Sequence, residues 1–410
     1  AEIERKLRIA DRLAGCIADP RAPERVRHSL AEMIRYRALL IAAGYPDAND
    51  CDALRDDPAF KMAVGRLPET GAQLCSQPTM SRLENLPTKT TLIRMMDAMV
   101  ELFSDSFAEV PRRILLDIDD TLDRVHGGQQ LALFNAHHDS HRFLPIHIYE
   151  ATTGKPVAMI LRPGKTPDGA EVAFILRHLV KAIRARWPKV EIVIRGDSHY
   201  GRPEAMAWLE RNRVGYVFGL AGNRVLLDRI AALAEDTAVR RAEQDADKIR
   251  SFHEFCYAAK SWKEKERRVI ARIEATRKGS DTRFVVTNLT GTPRWLYEVL
   301  YCGRGQAENL IKAHKLHLVS DRTSCTKATA NQFRLLLHTA AYWLLHTLKG
   351  LASKTSFWRN AQFDTIRLAF IKIAARVTEL VTRIRVSLPS SYPYKQDLAR
   401  FAGRAQALPP

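Results

Sequence analysis

Two carboxylates follow apolar runs in this chain. Asp119 closes the run Arg113–Asp119 (RILLDID), and Asp197 follows the apolar run Val190–Ile194 (VEIVI). If these runs are neighbouring strands, they lie about 4.8 Å apart. Their C-terminal ends then hold two acids side by side, and such a pair repels unless a cation joins it. Oxygen donors select Mg²⁺ or Mn²⁺. A lone Asp after a strand is more often a turn or helix cap; two on adjacent strands favour the metal. Asp117 stands two residues before Asp119, on the same strand face. It is a further acid, either ligand or support.

A third group comes from a later helical stretch. At about 100° per residue, Tyr301, Arg304, Glu308 and Lys315 fall in one stripe about 60° wide, with Lys312 on its border. The acid can complete a metal site and the bases can hold phosphates. The plainer reading is a solvated face, since Glu308 and Lys312 have i,i+4 spacing. Gly303 and Gly305 weaken the helix at its start.

Other signals carry less chemistry. His126, His137, His138 and His141 cluster after the first strand without a metalloprotease spacing, which reads as a polar hairpin loop. Trp262 lies between Lys260 and Lys263, ahead of Arg267 and Arg268, and an aromatic among bases can stack on an unpaired base. Ser198 and His199 lack the nucleophile elbow of a hydrolase. The methionines of 88–107 are core filling. The six cysteines form no C-x-x-C pair, which excludes a zinc site of that type and fits reduced thiols in a cytoplasmic protein.

The elements that must position these groups follow from periodicity. Residues 1–110 read as helical, with apolar spacing in Glu24–Gly44 and Thr88–Phe107. Strands are expected over Arg113–Asp119, Arg142–Glu150 and Lys155–Arg162, the last two joined by a turn at Thr152–Gly154. A helix over Asp168–Trp187, the strand Val190–Ile194, a short helix Pro203–Asn212 and the strand Val214–Leu220 follow. The order β-β-β-α-β-α-β is that of a ribonuclease H-like mixed sheet and not of a doubly wound one. A charged helical stretch, Ala231–Arg250, then precedes strands near Phe252–Ala259, Arg267–Thr276 and Arg283–Leu289, read as an inserted β-rich module. Helix returns from Pro293 to Leu318, over Ala328–Leu348 and over Phe363–Ile384, and the tail from Pro389 reads as loop.

The expected fold is therefore α/β: a ribonuclease H-like mixed sheet core with a β-rich insertion and an N-terminal helical region. The expected divisions are 1–110 (helical, DNA-binding), 111–221 (core, first part), 222–293 (insertion), 294–388 (core, second part) and 389–410 (tail). The chain has 410 residues, with Lys plus Arg at 64 against Asp plus Glu at 46, a net charge of +18. That excess points to a polyanion, most often nucleic acid. No apolar run reaches the roughly 18 residues of a membrane helix, and the first ten residues show no signal-peptide pattern.

These residues carry a resemblance. Tyr301-x2-Arg304-x3-Glu308-x6-Lys315 resembles the signature around the last acid of bacterial insertion-sequence DDE transposases. Asp119-x-Thr121 resembles the family's first motif and Asp197 its second. The inserted β module and the segment His126-Gly-Gly-Gln-Gln130 are also similar to one branch of that family. The resemblance covers nearly the whole chain, and the four-residue helix signature is its specific part. It implies cut-and-paste DNA transposition. Asp119, Asp197 and Glu308 would bind two Mg²⁺ or Mn²⁺ ions. Tyr301, Arg304 and Lys315 would grip phosphates of the terminal inverted repeats and of target DNA. A dimer on paired element ends, associated with the bacterial nucleoid, is implied as well.

Two rivals remain at this stage. I-L-L-D-I-D-D-T-L also resembles the opening motif of haloacid-dehalogenase-type phosphatases, with Asp117 as nucleophile and Asp119 as general acid/base. Against it, the next strands look antiparallel, and Gly201 stands where a further Asp would be needed. The other rival is a DNA-binding protein without catalysis.

Overall fold

The computed structural model describes residues 1–136, 139–262 and 265–408. His137, His138 and Lys263, named above, lie outside them. The N-terminal region is helical: α1 (Glu2–Leu7), α2 (Ile9–Gly15), α3 (Leu30–Ala42), α4 (Asp50–Leu54), α5 (Pro58–Ala63), α6 (Gln77–Glu84) and α7 (Lys89–Asp105). Ser29 and Thr88 cap α3 and α7 by accepting from Glu32 N and Thr91 N. Such caps satisfy backbone donors that the helix itself leaves open.

The sheet follows. β1 (Arg113–Asp120) is succeeded by a small sheet of β2 (Asp123–Arg124), β3 (Leu133–Asn135) and β4 (Ser140–Phe143), then by β5 (Ile146–Glu150) and β6 (Lys155–Ile160). The expected strand 142–150 is thus two strands, broken at Leu144-Pro145, where a proline cannot donate to a ladder. Next come α8 (Gly169–Arg186), β7 (Glu191–Gly196), α9 (Pro203–Arg211) and β8 (Gly215–Leu220). β1 pairs antiparallel with β5 and parallel with β7, and β7 pairs parallel with β8. This is the mixed sheet of a ribonuclease H-like core, with β1 at its centre.

The segment after β8 does not form a sheet of its own. It contains α10 (Arg224–Glu243), β9 (Lys248–Tyr257), β10 (Arg267–Thr276) and β11 (Gly279–Thr287). β11 pairs antiparallel with β8, from Phe284 opposite Leu220 to Thr287 opposite Val217. The result is one eight-stranded sheet in the order β6-β5-β1-β7-β8-β11-β10-β9. The helix of this segment starts at Arg224 and stops at Glu243, earlier at both ends than periodicity indicated.

The helix after β11 changes its winding three times. Trp295–Tyr301 is π-helical, Cys302–Gly305 is 3₁₀, α11 (Gln306–Lys312) is regular, and Ala313–His317 is π-helical again. It packs on β8, β1 and β5. Then α12 (Ala328–Gly350) runs through the middle of the molecule, and every residue from Ala330 to Leu345 is buried. It touches α3, α6 and α7 as well as β6. A single apolar cluster therefore runs from Ile34 and Phe103 through Leu337 to Ile148.

Two expectations fail beyond α12. α13 (Phe363–Phe370) ends at Phe370, and the region expected to continue helically to Ile384 is a hairpin of β12 (Arg376–Glu379) and β13 (Ile384–Ser387). The tail expected to be loop carries α14 (Lys395–Gln406), whose Phe401 and Ala405 are buried. Among the described residues, no helix is long and apolar enough to cross a membrane.

Candidate active site

The end of β1 is where the charged groups meet. Asp117 and Asp119 both point to one side of the strand but meet different fates. Asp117 is fully buried, and its two oxygens accept from Arg195 Nε at 2.6 Å and Nη2 at 2.7 Å. Arg195, on β7, also donates through Nη1 to Leu300 O at 2.6 Å. This fork fixes the π-helical turn onto the sheet. Asp117 is a structural support, not an acid open to a substrate. The same contacts leave it no free oxygen for the nucleophilic role of the phosphatase reading.

Asp119 faces a cleft of about 480 Å³, lined also by Asp120, Thr121, Asp197, Arg304, Glu308, Ile311, Lys312 and Lys315. The three acids singled out from the sequence thus come to one cavity from three elements. Asp119 lies in β1, Asp197 just beyond β7, and Glu308 on α11. Asp119 Oδ2 accepts from Arg304 Nη1 at 2.7 Å, and Oδ1 accepts from Asp120 N at 3.0 Å. Burial pushes the Asp119 carboxyl up to about 6 against the pull of Arg304, and Asp197 and Asp120 add to the rise. Asp120 is raised as well, by burial and then by Asp197. Glu308 is exposed and has no hydrogen-bond or ion-pair partner among the described residues.

Asp120 was missed in the sequence, and His199 was considered there only as part of a hydrolase dyad. Asp120 Oδ2 accepts from the Tyr200 hydroxyl at 3.1 Å. His199 donates its backbone N–H to Asp197 Oδ1 at 2.8 Å, and its Nδ1 stands 3.4 Å from Asp197 Oδ2 and 3.7 Å from Asp120 Oδ2. The doubled acid in D-I-D-D-T was the available signal for Asp120. Only the fold brings His199 to it.

The bases differ in what they are free to do. Lys312 is exposed, and among the described residues no carboxylate pairs with it. Lys315 reaches Leu122 O, Thr121 Oγ1 at 3.4 Å and Asp123 Oδ1 at 3.4 Å, which ties the π-helical turn after α11 to the turn after β1. Tyr301 lies behind the cleft, with Arg304 5.9 Å above its ring. A Cβ on Gly219 would sit 2.8 Å from the Tyr301 hydroxyl and 2.9 Å from Ser198 N, so only glycine permits this approach.

Trp262 is corrected. It is 5% exposed, stands edge-on to Tyr257 at 5.5 Å, and has Arg267 over its ring at 5.2 Å. Its faces are filled, so no base can stack on them. The neighbouring bases are also engaged: Lys265 and Arg267 bind Glu210, and Arg268 binds Glu254. His126 is exposed and His141 packs on Phe134. The Gln129 and Gln130 pair docks instead on the loop before α12, through Thr323 O at 3.0 Å and Thr326 O at 2.9 Å.

Among the described residues, no three His, Cys, Asp or Glu side chains are drawn close enough to enclose one ion. The donor set nevertheless suits a hard divalent cation: oxygen atoms only, two of the acids held above their usual range by burial and mutual repulsion. Arg304 supplies the positive charge at Asp119 in this arrangement.

A family model described as transposase DDE domain group 1 matches residues 1–410. No curated protein matches the sequence significantly. The fold is similar to that of a piggyBac transposase, solved by cryo-EM as a synaptic complex with hairpin DNA. The TM-score is 0.44 at 9% identity, covering 98% of this chain and 84% of that one.

Proposed function

This chain belongs to the transposase DDE domain group 1 family, and from that premise we propose that it excises and inserts its own element by metal-dependent cleavage and joining of DNA. Water would hydrolyse a phosphodiester at the element end and release a 3′-hydroxyl. That hydroxyl would then attack a target phosphodiester, forming a new P–O bond as the old one leaves. The observation that carries this reading is the convergence of Asp119, Asp197 and Glu308 on one open cleft edged by Arg304, Lys312 and Lys315.

Members of this family generally use divalent metal. Here Asp119, Asp197 and Glu308 would hold Mg²⁺ or Mn²⁺, as two ions. When bound, the metal supplies Lewis-acid stabilisation of the phosphoryl oxygens and lowers the pKa of the attacking group. Arg304, which holds Asp119 Oδ2 here, would be free to hold a phosphate once Asp119 held a cation. Lys312 and Lys315 edge the path of the backbone, and Tyr301 sets the position of Arg304. His199 orients the Asp197 carboxylate. The partners are terminal inverted repeats and target DNA, with two copies pairing two ends at the bacterial nucleoid.

The test is cleavage of DNA carrying the element ends with Mg²⁺. Asp119→Asn, Asp197→Asn and Glu308→Gln should each lower the rate by about 10⁴-fold, with DNA binding retained in fluorescence anisotropy. Binding without nicking by a well-folded wild type would leave the non-catalytic DNA-binding reading instead.

A further inference from the structure

A second cavity lies on the other side of α11 from the carboxylate cleft. Its volume is about 420 Å³, and Lys312 lines both cavities. Lys349 from the end of α12 and Arg359 from the turn after it complete a set of three cations there. No Asp or Glu lines this cavity, and none of the three bases has a carboxylate partner among the described residues. The bases around Trp262, by contrast, are neutralised by acids. Arg359 Nη1 is held by Gly350 O at 2.8 Å, which fixes the guanidinium at the rim.

The remaining polar lining includes Gln306 and Asn309 on α11, Asn360 and Gln362 after α12, and His317, whose Nδ1 pairs with Asp364. His346 is neutral, because burial lowers it to about 4. Its Nε2 bonds Thr153 O at 2.9 Å, so Nε2 carries the proton. The cavity is therefore lined by neutral and cationic groups, with the Asp364 carboxylate paired to His317. Bringing Lys349 and Arg359 together without a counter-ion is unfavourable, and the Lys349 ammonium is lowered by burial and by Arg359. An anion with several oxygens would relieve that repulsion.

We propose that this cavity seats a backbone phosphate of the DNA strand that continues past Glu308, held by Lys349 and Arg359, with Lys312 bridging it to the cleft. The proposal rests on the transposase reading and adds to it a grip away from the cut. Phosphate contacts fix register without reading sequence. This one would set where along the strand the scissile bond falls.

The experiment uses the full chain and a duplex carrying the element end. The logarithm of the association constant is measured against that of salt concentration, for the wild type, Lys349→Ala/Arg359→Ala and the milder Lys349→Gln/Arg359→Gln. Each phosphate neutralised contributes a slope of about −0.9, so both double variants, which lose this one phosphate, should be shallower by about 0.9. Affinity at low salt should fall roughly ten- to a hundredfold, the range of two lost charged contacts. Single neutral methylphosphonate linkages are then walked along the strand. One position should weaken the wild type and leave the double variants unaffected. Equal slopes in folded variants, or a methylphosphonate profile that the substitutions do not alter, would overturn the proposal. Asp119→Asn separates the two readings. If it abolishes cleavage while the double variants bind as the wild type does, the cavity fails and the transposase stands. If the wild type neither binds nor cuts DNA, both fall.

Discussion

Arg304 and Asp119 form the contact on which the chemistry turns. In the structure the guanidinium lies on the carboxylate oxygen that a divalent cation would need. Removing it should therefore help the ion and harm the reaction. Arg304→Ala is expected to bind Mn²⁺ about tenfold more tightly, by calorimetry or spin resonance without DNA. Its DNA cleavage should fall, because a phosphate contact goes with the side chain. Unchanged Mn²⁺ affinity would show that Arg304 and the metal do not compete. Asp123 offers a different handle. Burial pushes its carboxyl from 3.8 up to about 7, against the attraction of Lys315. The folded state then holds a proton that the unfolded chain has released. Stability from this group is full below about 4 and is lost as pH rises towards 7. The melting temperature should fall across that window, and Asp123→Asn should flatten the fall.

Asp117 is best judged by the elements it joins. It connects β1 to β7 and, through Arg195, to the π-helical turn at Leu300. Asp117→Ala would leave Arg195 buried and uncompensated, at a cost of about 3–5 kcal/mol in urea unfolding. Asp117→Leu with Arg195→Met should recover most of that stability. A nucleophile would not be rescued in this way. The sheet that these residues stabilise was readable from the sequence because its strands are apolar and bounded by turns. The stripe on the Glu308 helix was read with a constant pitch, whereas π and 3₁₀ turns rotate each residue differently. Arg304, Glu308 and Lys315 still line one cleft, but Tyr301 does not. The hairpin of β12 and β13 was misread because Val377, Leu380 and Ile384 mimic a helical stripe. Val377, Thr378, Val381, Thr382 and Val386 favour strand, and those β-branched residues prevailed. α14 was hidden by Pro389 and Pro393, although Leu398, Phe401 and Ala405 have helical spacing.

Across the whole molecule, the charge and the core are arranged differently from a string of modules. Internal ion pairs remove a base and an acid together, so the net charge of +18 is carried by the bases that no acid neutralises. The helices of 1–110 and the sheet share one apolar cluster through α12. A helix buried on all sides cannot lose half its surroundings. Residues 111–410 expressed alone should lack a cooperative thermal transition and bind a hydrophobic dye. A sharp transition would show that the sheet folds without the N-terminal helices. The pairing of β8 with β11 likewise makes the segment after β8 a continuation of the sheet that holds the acids, a long-range contact that periodicity does not report.

The helix that carries Glu308 is held at both ends, by Arg195 on Leu300 and by Lys315 on Leu122. Between those anchors its windings differ from turn to turn. A uniform helix fixed at two points is a strut of one length. A helix of mixed pitch is closer to a turnbuckle: exchanging a π turn for a regular one trades rise against rotation while both ends stay in place. A change of winding between those anchors would move Glu308 relative to Asp119 and Asp197 with β1 and β7 holding still.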